Sequence, residues 1–313
     1  MKQKFHQQSF KTEDYLMSHN TYITCASWEE RFLQSIYDDY DKYKFDKIIL
    51  FYFQEDRFFS LSSSNIEKIE TFAKKNHIEI EKIALTFNDQ ITIYSEAERI
   101  LSTLGKSNHY LNIATMPRHL IYICLDLLTT HKYTFEVLYY IPDSYGNEIA
   151  KNPDIPQLLI KHSGIFEADK ETLLIVSAGL DKERIFQLYY YFEPYKTIIL
   201  EEKQNYSEIK KEERLDFQKS LSEIHNLDFF EIDSFTENNI FNFMETKLTS
   251  DIEEYNTLLC AIGPKIASLE FFKFNKLHPN TGIVYALSQD YSKNYSVGID
   301  KKHVFSRTSK FFN

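Results

Sequence analysis

The stretch YITCASWEERFLQSIY (residues 22–37) decides the fold, because a second stretch of the same character occurs far along the chain. LIVSAGLDKERIFQLY (174–189) aligns with it after one single-residue gap. Both segments begin with a short apolar run and continue in an amphipathic pattern, which is typical of a strand followed by a helix. The recurrence predicts two related halves that arose by internal duplication.

A second pair of segments aligns later in each half. LNIATMPRHL (111–120) corresponds to LLCAIGPKIASL (258–269), and in both a proline is followed by a basic residue, Arg118 or Lys265. Proline favours the first turn of a helix, so we expect each base near a helix N-terminus. We also expect the halves to face each other across a pseudo-two-fold axis, with a binding cleft between them.

The composition is that of a folded, acidic, intracellular protein. The 313 residues suffice for two domains, and 43% of them are hydrophobic. A net charge of −10 gives no general attraction to duplex DNA or to an anionic membrane. The cysteines Cys25, Cys124 and Cys260 lie in apolar runs, which indicates reduced, buried thiols. The N-terminal residues lack the apolar core of a signal peptide, and no apolar run is long enough to span a membrane. We therefore expect a cytoplasmic protein.

Strand-like and helix-like segments alternate through both halves. KIILFYF (47–53) is a continuous apolar run bounded by charge, as in a buried parallel strand. Ser27 and Glu30 predict a capping box for a helix that starts at Trp28, and the pattern of residues 65–76 predicts the next helix. The alternation predicts an α/β fold with two Rossmann-like, doubly wound parallel-sheet domains.

Domain boundaries follow from the composition of the connecting segments. Residues 1–145 form the predicted N-terminal Rossmann-like domain, and the Pro-containing segment 146–170 is the predicted linker. Residues 171–313 form the predicted C-terminal Rossmann-like domain with a strand-rich tail. In that tail, we expect strands with a hairpin that packs back on the two domains.

The predicted ligand site lies where the strand order of each sheet reverses, beyond the ends of its first and fourth strands. The residues that follow those strands are Ser27 and Thr115 in one half and Gly179 and Gly263 in the other. Each precedes a predicted helix, whose N-terminal N–H groups favour an anion. Trp28, beside Ser27, is placed to stack on a base.

Each of these residues also has a simpler structural interpretation. Ser27 is equally typical of a plain helix cap, the glycines of tight turns, and Trp28 of a residue that covers a sheet edge. Arg31 and Arg184 occupy matching positions one turn deeper. They either reach the cleft or pair with acidic neighbours on their own helices.

Familiar catalytic and cofactor motifs are missing from the sequence. It contains no GxGxxG, GxxxxGK[ST], HExxH or GxSxG, so we expect no nicotinamide or flavin cofactor, no metal and no catalytic triad. Carboxylates do follow the second strand of each half, at Glu55, Asp56, Glu201 and Glu202. In dinucleotide-binding folds, such a residue holds a ribose hydroxyl.

The segment LNIATMPR (111–118) resembles the fourth-strand motif of CARF domains, the Rossmann-like sensors associated with CRISPR systems. The resemblance rests on Asn112, Thr115 and Arg118, which match an amide, a hydroxyl and a base near the strand end. The related SAVED sensors fuse two such units in one chain. The resemblance implies that Ser27 and these three residues, with Gly179, Gly263 and Lys265 in the second half, bind a cyclic oligonucleotide.

Three functions remain open from the sequence. The first is a non-catalytic sensor or regulatory subunit of a bacterial anti-phage system, which binds a nucleotide-like anion between the halves and acts on a separate effector protein. The second is an interaction subunit of a larger complex with degenerate pockets. The third is an enzyme that processes a nucleotide or a nucleotide sugar with the strand-end carboxylates.

Overall fold

The structure is a computed structural model that describes residues 20–145, 150–179, 181–203, 211–291, 296–300 and 304–312. In the first half, strands and helices alternate. They are β1 (Thr21–Cys25), α1 (Glu30–Tyr43), β2 (Lys47–Phe53), α2 (Asp56–Lys75), β3 (Glu79–Leu85), α3 (Gln90–Leu101), β4 (His109–Asn112), α4 (Arg118–Thr130) and β5 (Phe135–Tyr140).

Three short strands lie between the halves, and the second half again alternates. The short strands are β6 (Ser144–Tyr145), β7 (Ala150–Pro153) and β8 (Gln157–Leu158). The second half comprises β9 (Thr172–Ala178), α5 (Lys182–Phe192), β10 (Lys196–Glu202), α6 (Lys211–Ser220), β11 (Leu227–Ile232), α7 (Asn239–Lys247), α8 (Thr249–Glu254), β12 (Asn256–Ala261), α9 (Ala267–Leu277) and β13 (Gly282–Tyr285). The tail contributes β14 (Ser288–Tyr291), β15 (Ser296–Val297), β16 (Val304–Thr308) and a 3-10 helix (Ser309–Phe312).

Each half forms a six-stranded, mostly parallel sheet. The orders are β16-β5-β4-β1-β2-β3 and β11-β10-β9-β12-β13-β8. Counted within each half, the five parallel strands follow the same order, 3-2-1-4-5, and the direction of winding reverses between the first and fourth strands. The predicted α/β fold with two Rossmann-like domains is confirmed. The descent of the halves from one duplicated unit stays a prediction.

The sixth strand of each sheet is antiparallel and comes from outside the repeated pattern. Strand β16 pairs with β5 through five residue pairs, and β8 pairs with β13. The tail strands β14 and β15 pair with β7 and β6. Among the described residues of the tail, the strands pair with these earlier segments; the connections where a hairpin would turn lie outside the described residues, so the expected hairpin stays a prediction. By adding β16, the tail covers the edge of β5, whose backbone groups would otherwise lack partners.

Two helices join the halves through a shared core. Helix α4 is buried on every side from His119 to Leu128, and it contacts α9 of the second half. The largest apolar cluster runs from Ile23 of β1 through Leu269 and Phe272 of α9. Because an amphipathic surface helix leaves one face in water, burial all round shows that α4 fills an interior position.

Two helix starts differ from the sequence-based predictions. Helix α1 begins at Glu30, so Trp28 precedes it, and the Ser27 hydroxyl accepts the backbone N–H of Glu29 at 3.2 Å instead of forming a capping box. Helix α2 begins at Asp56, nine residues before the predicted start at residue 65. No helix in the described part of the chain is long and apolar enough to cross a membrane.

Candidate functional site

The loops that follow β4 and β12 are bonded to each other by the two predicted bases. Arg118 donates from Nη2 to the backbone oxygens of Ile262, at 2.7 Å, and Gly263. Lys265 donates from Nζ to the backbone oxygen of Ala114 at 2.8 Å. Each half thus places its base on the other half's strand-end loop. The two halves meet at the carboxyl ends of their parallel strands, as the sequence predicted.

A cavity of about 90 Å³ lies beside these bonds and is lined by both halves. Most of its lining comes from the first half, at the ends of β1, β2, β3 and β4 and on α2. The lining comprises aromatic residues (Trp28, Phe53, Phe58, Phe87, Tyr285), bases (Arg118, Arg184, Lys265), one acid (Glu29) and smaller residues (Cys25, Ala26, Ser27, Ser62, Thr115, Pro117, Ala286, Leu287).

The ionisable groups of the lining are mostly bases. Glu29 is the one carboxylate among the described residues that line the cavity, against three bases. Burial lowers the pKa of Lys265 well below its ordinary value, and the nearby charges of Arg31 and Arg118 lower it further. Burial alone would raise the pKa of Glu29, but Arg31 and Lys265 outweigh this effect and hold that pKa below its usual range. A further negative charge would therefore be stabilised in this cavity.

Two buried donors of the lining have no hydrogen-bond partner among the described residues. They are the indole Nε1 of Trp28 and the guanidinium Nε of Arg118. An unpaired buried N–H group costs roughly 1–3 kcal/mol. A bound molecule with acceptor oxygens can offset that cost.

Five of the eight predicted ligand-binding residues line the cavity: Ser27, Trp28, Thr115, Arg118 and Lys265. The hydroxyls of the first half also hold the loop in place. Thr115 donates from Oγ1 to the backbone oxygen of Cys25 at 3.1 Å, which ties the end of β4 to the end of β1. These contacts do not test ligand binding, so the roles of all eight residues stay predictions.

Asn112 lies outside the cavity lining and belongs to a buried network. Its Nδ2 donates to Tyr22 Oη at 2.5 Å and to Ser35 Oγ at 2.8 Å, while its Oδ1 accepts the backbone N–H of Ala114 at 2.9 Å. Tyr22 in turn donates to the Asp39 carboxylate at 2.6 Å. These bonds occupy the side-chain amide of Asn112 and join β4 to α1.

Gly179 and Gly263 also lie outside the lining, and they face each other. A Cβ on Gly263 would lie 2.8 Å from the backbone oxygen of Ala178, which is closer than real Cβ contacts. A Cβ on Gly179 would lie 3.6 Å from the Cα of Gly263, at ordinary contact distance. Glycine at position 263 is therefore required by the close approach of the β9 and β12 loops.

Arg31 and Arg184 pair with acids of their own helical segments, one of the two outcomes left open by the sequence. Arg31 Nε lies 2.8 Å from a Glu29 oxygen, and Arg184 Nε lies 2.6 Å from an Asp181 oxygen. Arg184 nevertheless lines the cavity as well. Both arginines are buried, so their charges act on the cavity through a medium that screens them weakly.

The strand-end carboxylates lie outside the cavity lining. Glu55 accepts the backbone N–H of Phe87 at 2.6 Å, and Glu201 accepts from Gln218 at 2.6 Å. Glu202 accepts from Ser234, through the backbone N–H at 2.9 Å and the hydroxyl at 2.6 Å. Burial raises the pKa of Glu202 to about 7. These partners give the carboxylates structural roles within their own halves.

The three cysteines are unpaired and buried, as the sequence predicted. Cys25 lines the cavity, but burial raises the pKa of its thiol to about 12 despite the nearby charge of Lys265. A thiol protonated at neutral pH is a poor nucleophile. Within the described ranges, no three His, Cys, Asp or Glu residues form a group that could hold a metal ion.

Apart from Trp28, the aromatic part of the lining was missed by sequence reasoning. Phe53 ends β2 and Phe87 follows β3, so both stand at the carboxyl edge of the sheet. That position was the available signal, since ligands bind at this edge. His119 packs against two of these aromatic residues. Its ring stacks on Tyr285 with the centroids 5.2 Å apart and meets Phe87 edge to face at the same distance.

No protein-family model matches the chain, and no curated protein matches its sequence. One similar solved structure is Can2 from Sulfobacillus thermosulfidooxidans in complex with cyclic tetra-adenylate. It is 13% identical with a TM-score of 0.32, and the match covers 41% of this chain but only 33% of that chain. A second is the cytoplasmic domain of a prokaryotic cation chloride cotransporter, 10% identical with a TM-score of 0.31, covering 88% of this chain and 98% of that one. Neither likeness is close enough to transfer a ligand or an activity.

Proposed function

We propose that this chain is a non-catalytic sensor or regulatory subunit that binds a nucleotide-like anion between its two halves. The observation that carries the proposal is the cavity at the junction, where bases from both halves meet. Arg118 comes from the first half, whereas Arg184 and Lys265 come from the second. An anion placed there would interact with both halves at once.

Such a ligand would also act on the contact between the halves. Arg118 and Lys265 use their donors on backbone oxygens of the opposite loop. A phosphate competes for these donors, because its negative charge attracts a basic group more strongly than a neutral backbone oxygen does. Ligand binding would thereby change how the halves are held, which is what a sensor requires.

The place of this sensor in bacterial anti-phage defence is supported by the CARF-like segment 111–118 alone. A sensor of this kind needs a separate effector protein as its partner, and we propose a cytoplasmic complex of the two. The strongly negative net charge of −10 gives no support to direct duplex DNA binding.

The test is a thermal-shift and calorimetric screen of the purified chain with mononucleotides, cyclic dinucleotides and cyclic tetra-adenylate. A compound that binds the folded state adds about 1.4 kcal/mol of apparent stability for each tenfold excess over its Kd. The double variant Arg118→Gln/Lys265→Met keeps most of the side-chain volume and removes both basic groups. We expect it to lose the shift, while Lys106→Ala, at an exposed lysine, keeps it.

The absence of a shift with every compound of the panel would refute the proposal. Circular dichroism of the double variant checks that the two sheets remain folded, so that loss of binding is not a loss of structure.

A second candidate, an interaction subunit with degenerate pockets, is favoured by the same cross-cleft bonds. Because Arg118 and Lys265 already have protein acceptors, the cleft is partly filled by the chain's own groups. This function predicts a stoichiometric partner that binds wild type and the double variant equally and is indifferent to nucleotides. The enzymatic alternative lacks comparable support, since the strand-end carboxylates lie outside the lining.

A further inference from the structure

The cavity has an aromatic side formed by the first half. The ring of Phe87 lies 4.8 Å from that of Phe53, edge to face, and 4.5 Å from that of Phe58. The indole of Trp28 belongs to the same lining. Aromatic surfaces of this kind bind flat rings, and stacking is tolerant of which base is bound.

Two basic groups of the lining, Arg118 and Lys265, lie on the side of the cavity opposite the phenylalanines. In the strand order β5-β4-β1-β2-β3, the phenylalanines stand at the β2 and β3 side of β1, whereas Arg118 follows β4 on its opposite side. Lys265 reaches the same side, because its amine bonds to Ala114 in the loop after β4. The cavity is therefore apolar at one end and cationic at the other.

The space available is small. At about 90 Å³, the cavity is well below the roughly 300–1,000 Å³ of pockets that enclose drug-sized molecules. A cyclic tetranucleotide carries four bases and four phosphates and would extend well beyond this cavity. A ligand with one ring and one anionic group matches the two-ended lining.

The corresponding position of the second half is occupied by a polar pair. Glu202 ends β10 as Phe53 ends β2, and Ser234 follows Ile232 of β11 as Phe87 follows Leu85 of β3. Glu202 and Ser234 are buried and hydrogen-bonded to each other. A carboxyl group in that place offers no surface for stacking, and in its ionised form it repels an anion.

We infer that each chain binds one compact aromatic anion, of nucleoside-monophosphate size or smaller, with its ring on the Phe53–Phe58–Phe87 wall and its anionic group at Arg118 and Lys265. The inference rests on the proposed function and deepens it. It assigns a single, one-sided site in place of a symmetric site shared by equivalent loops of the two halves.

Isothermal titration calorimetry of the whole chain with AMP, inorganic phosphate, cyclic di-AMP and cyclic tetra-adenylate tests this inference. We expect AMP to bind with a stoichiometry of one and at least tenfold more tightly than phosphate. Phe53→Leu keeps the site apolar but removes a ring, so it should weaken AMP binding about tenfold and leave phosphate unaffected. Glu202→Gln, at the corresponding position, is the matched control and should leave AMP binding unchanged.

The outcomes separate the inference from the proposed function. Binding of cyclic tetra-adenylate without binding of AMP overturns the inference and leaves the sensor function standing. A stoichiometry of two, or an AMP affinity that Phe53→Leu does not change, also overturns the inference alone. Failure of every nucleotide to bind overturns the inference and the proposed function together.

Discussion

His119 should make the protein unusually sensitive to mild acid. The side chain is fully buried in α4 and packs among aromatic rings, and neither ring nitrogen has a hydrogen-bond partner among the described residues. Burial lowers the pKa of His119 from its ordinary 6.5 to about 3. Between these two values, the unfolded chain binds a proton at this residue and the folded chain does not.

The sign and size of the effect follow from that difference. For a base whose folded pKa lies below its unfolded value, stability is greatest above the unfolded pKa and falls as the pH drops towards the folded one. Each unit by which the pH falls within this window lowers the free energy of unfolding by about 1.4 kcal/mol. From pH 7 to pH 5, His119 should remove about 2 kcal/mol, a large share of the 5–15 kcal/mol typical of a folded protein.

Urea unfolding followed by circular dichroism at pH 7 and pH 5 measures this loss. His119→Leu removes the titrating ring and keeps the site apolar, so its loss between the two pH values should be smaller than that of wild type by about 2 kcal/mol. Other acids titrate in both proteins and cancel in the comparison. His131→Leu, at the exposed C-terminal end of α4, is the control and should behave as wild type. An equal pH dependence in wild type and His119→Leu would refute the reasoning.

Two further predictions concern the second half. Gly263→Ala should cost roughly 1–3 kcal/mol of unfolding free energy, because its Cβ would lie 2.8 Å from the Ala178 oxygen. Gly105→Ala, where no atom lies within 4 Å of the new Cβ, should change stability little; equal effects at both sites would contradict the account of the close approach. Burial raises the folded pKa of Glu202 to about 7 from 4.5, so its contribution falls as the pH rises through that window. The free energy of unfolding of Glu202→Gln should therefore exceed that of wild type by on the order of 2 kcal/mol at pH 8 but by much less at pH 5. The same difference at both pH values in urea titrations would contradict this prediction.

The sequence predicted the sheets better than the helix starts. The continuous apolar run 47–53 coincides with β2, because a strand buried on both faces requires apolar residues at every position. Helix α2 was predicted too late since its first turns are rich in serine, a weak helix former. In the structure, Ser60 and Ser62 donate to the backbone oxygens of Asp56 and Phe58, and burial of Phe58 stabilises these turns.

In the candidate site, too, residue-type patterns were predictable from the sequence and contacts between distant segments were not. Arg118 and Lys265 were predicted because a proline followed by a base recurs in the sequence, and the strand reversal set their location. Their acceptors are backbone oxygens of the opposite half, and backbone groups leave no residue-type signal. Phe53 and Phe87 read as core residues in the sequence, and their position at the strand ends was the one signal that they line a cavity.

The pairing of β16 with β5 has a consequence for how the chain is made. Four residue pairs between β4 and β5 are available once the first 140 residues have been synthesised, but the outer edge of β5 waits for residues 304–308. The ribosome must therefore synthesise all the residues from 141 to 308 before the earlier sheet can be completed. During that interval, the nascent N-terminal half carries an open edge, and a chaperone that shields it would protect the chain from aggregation.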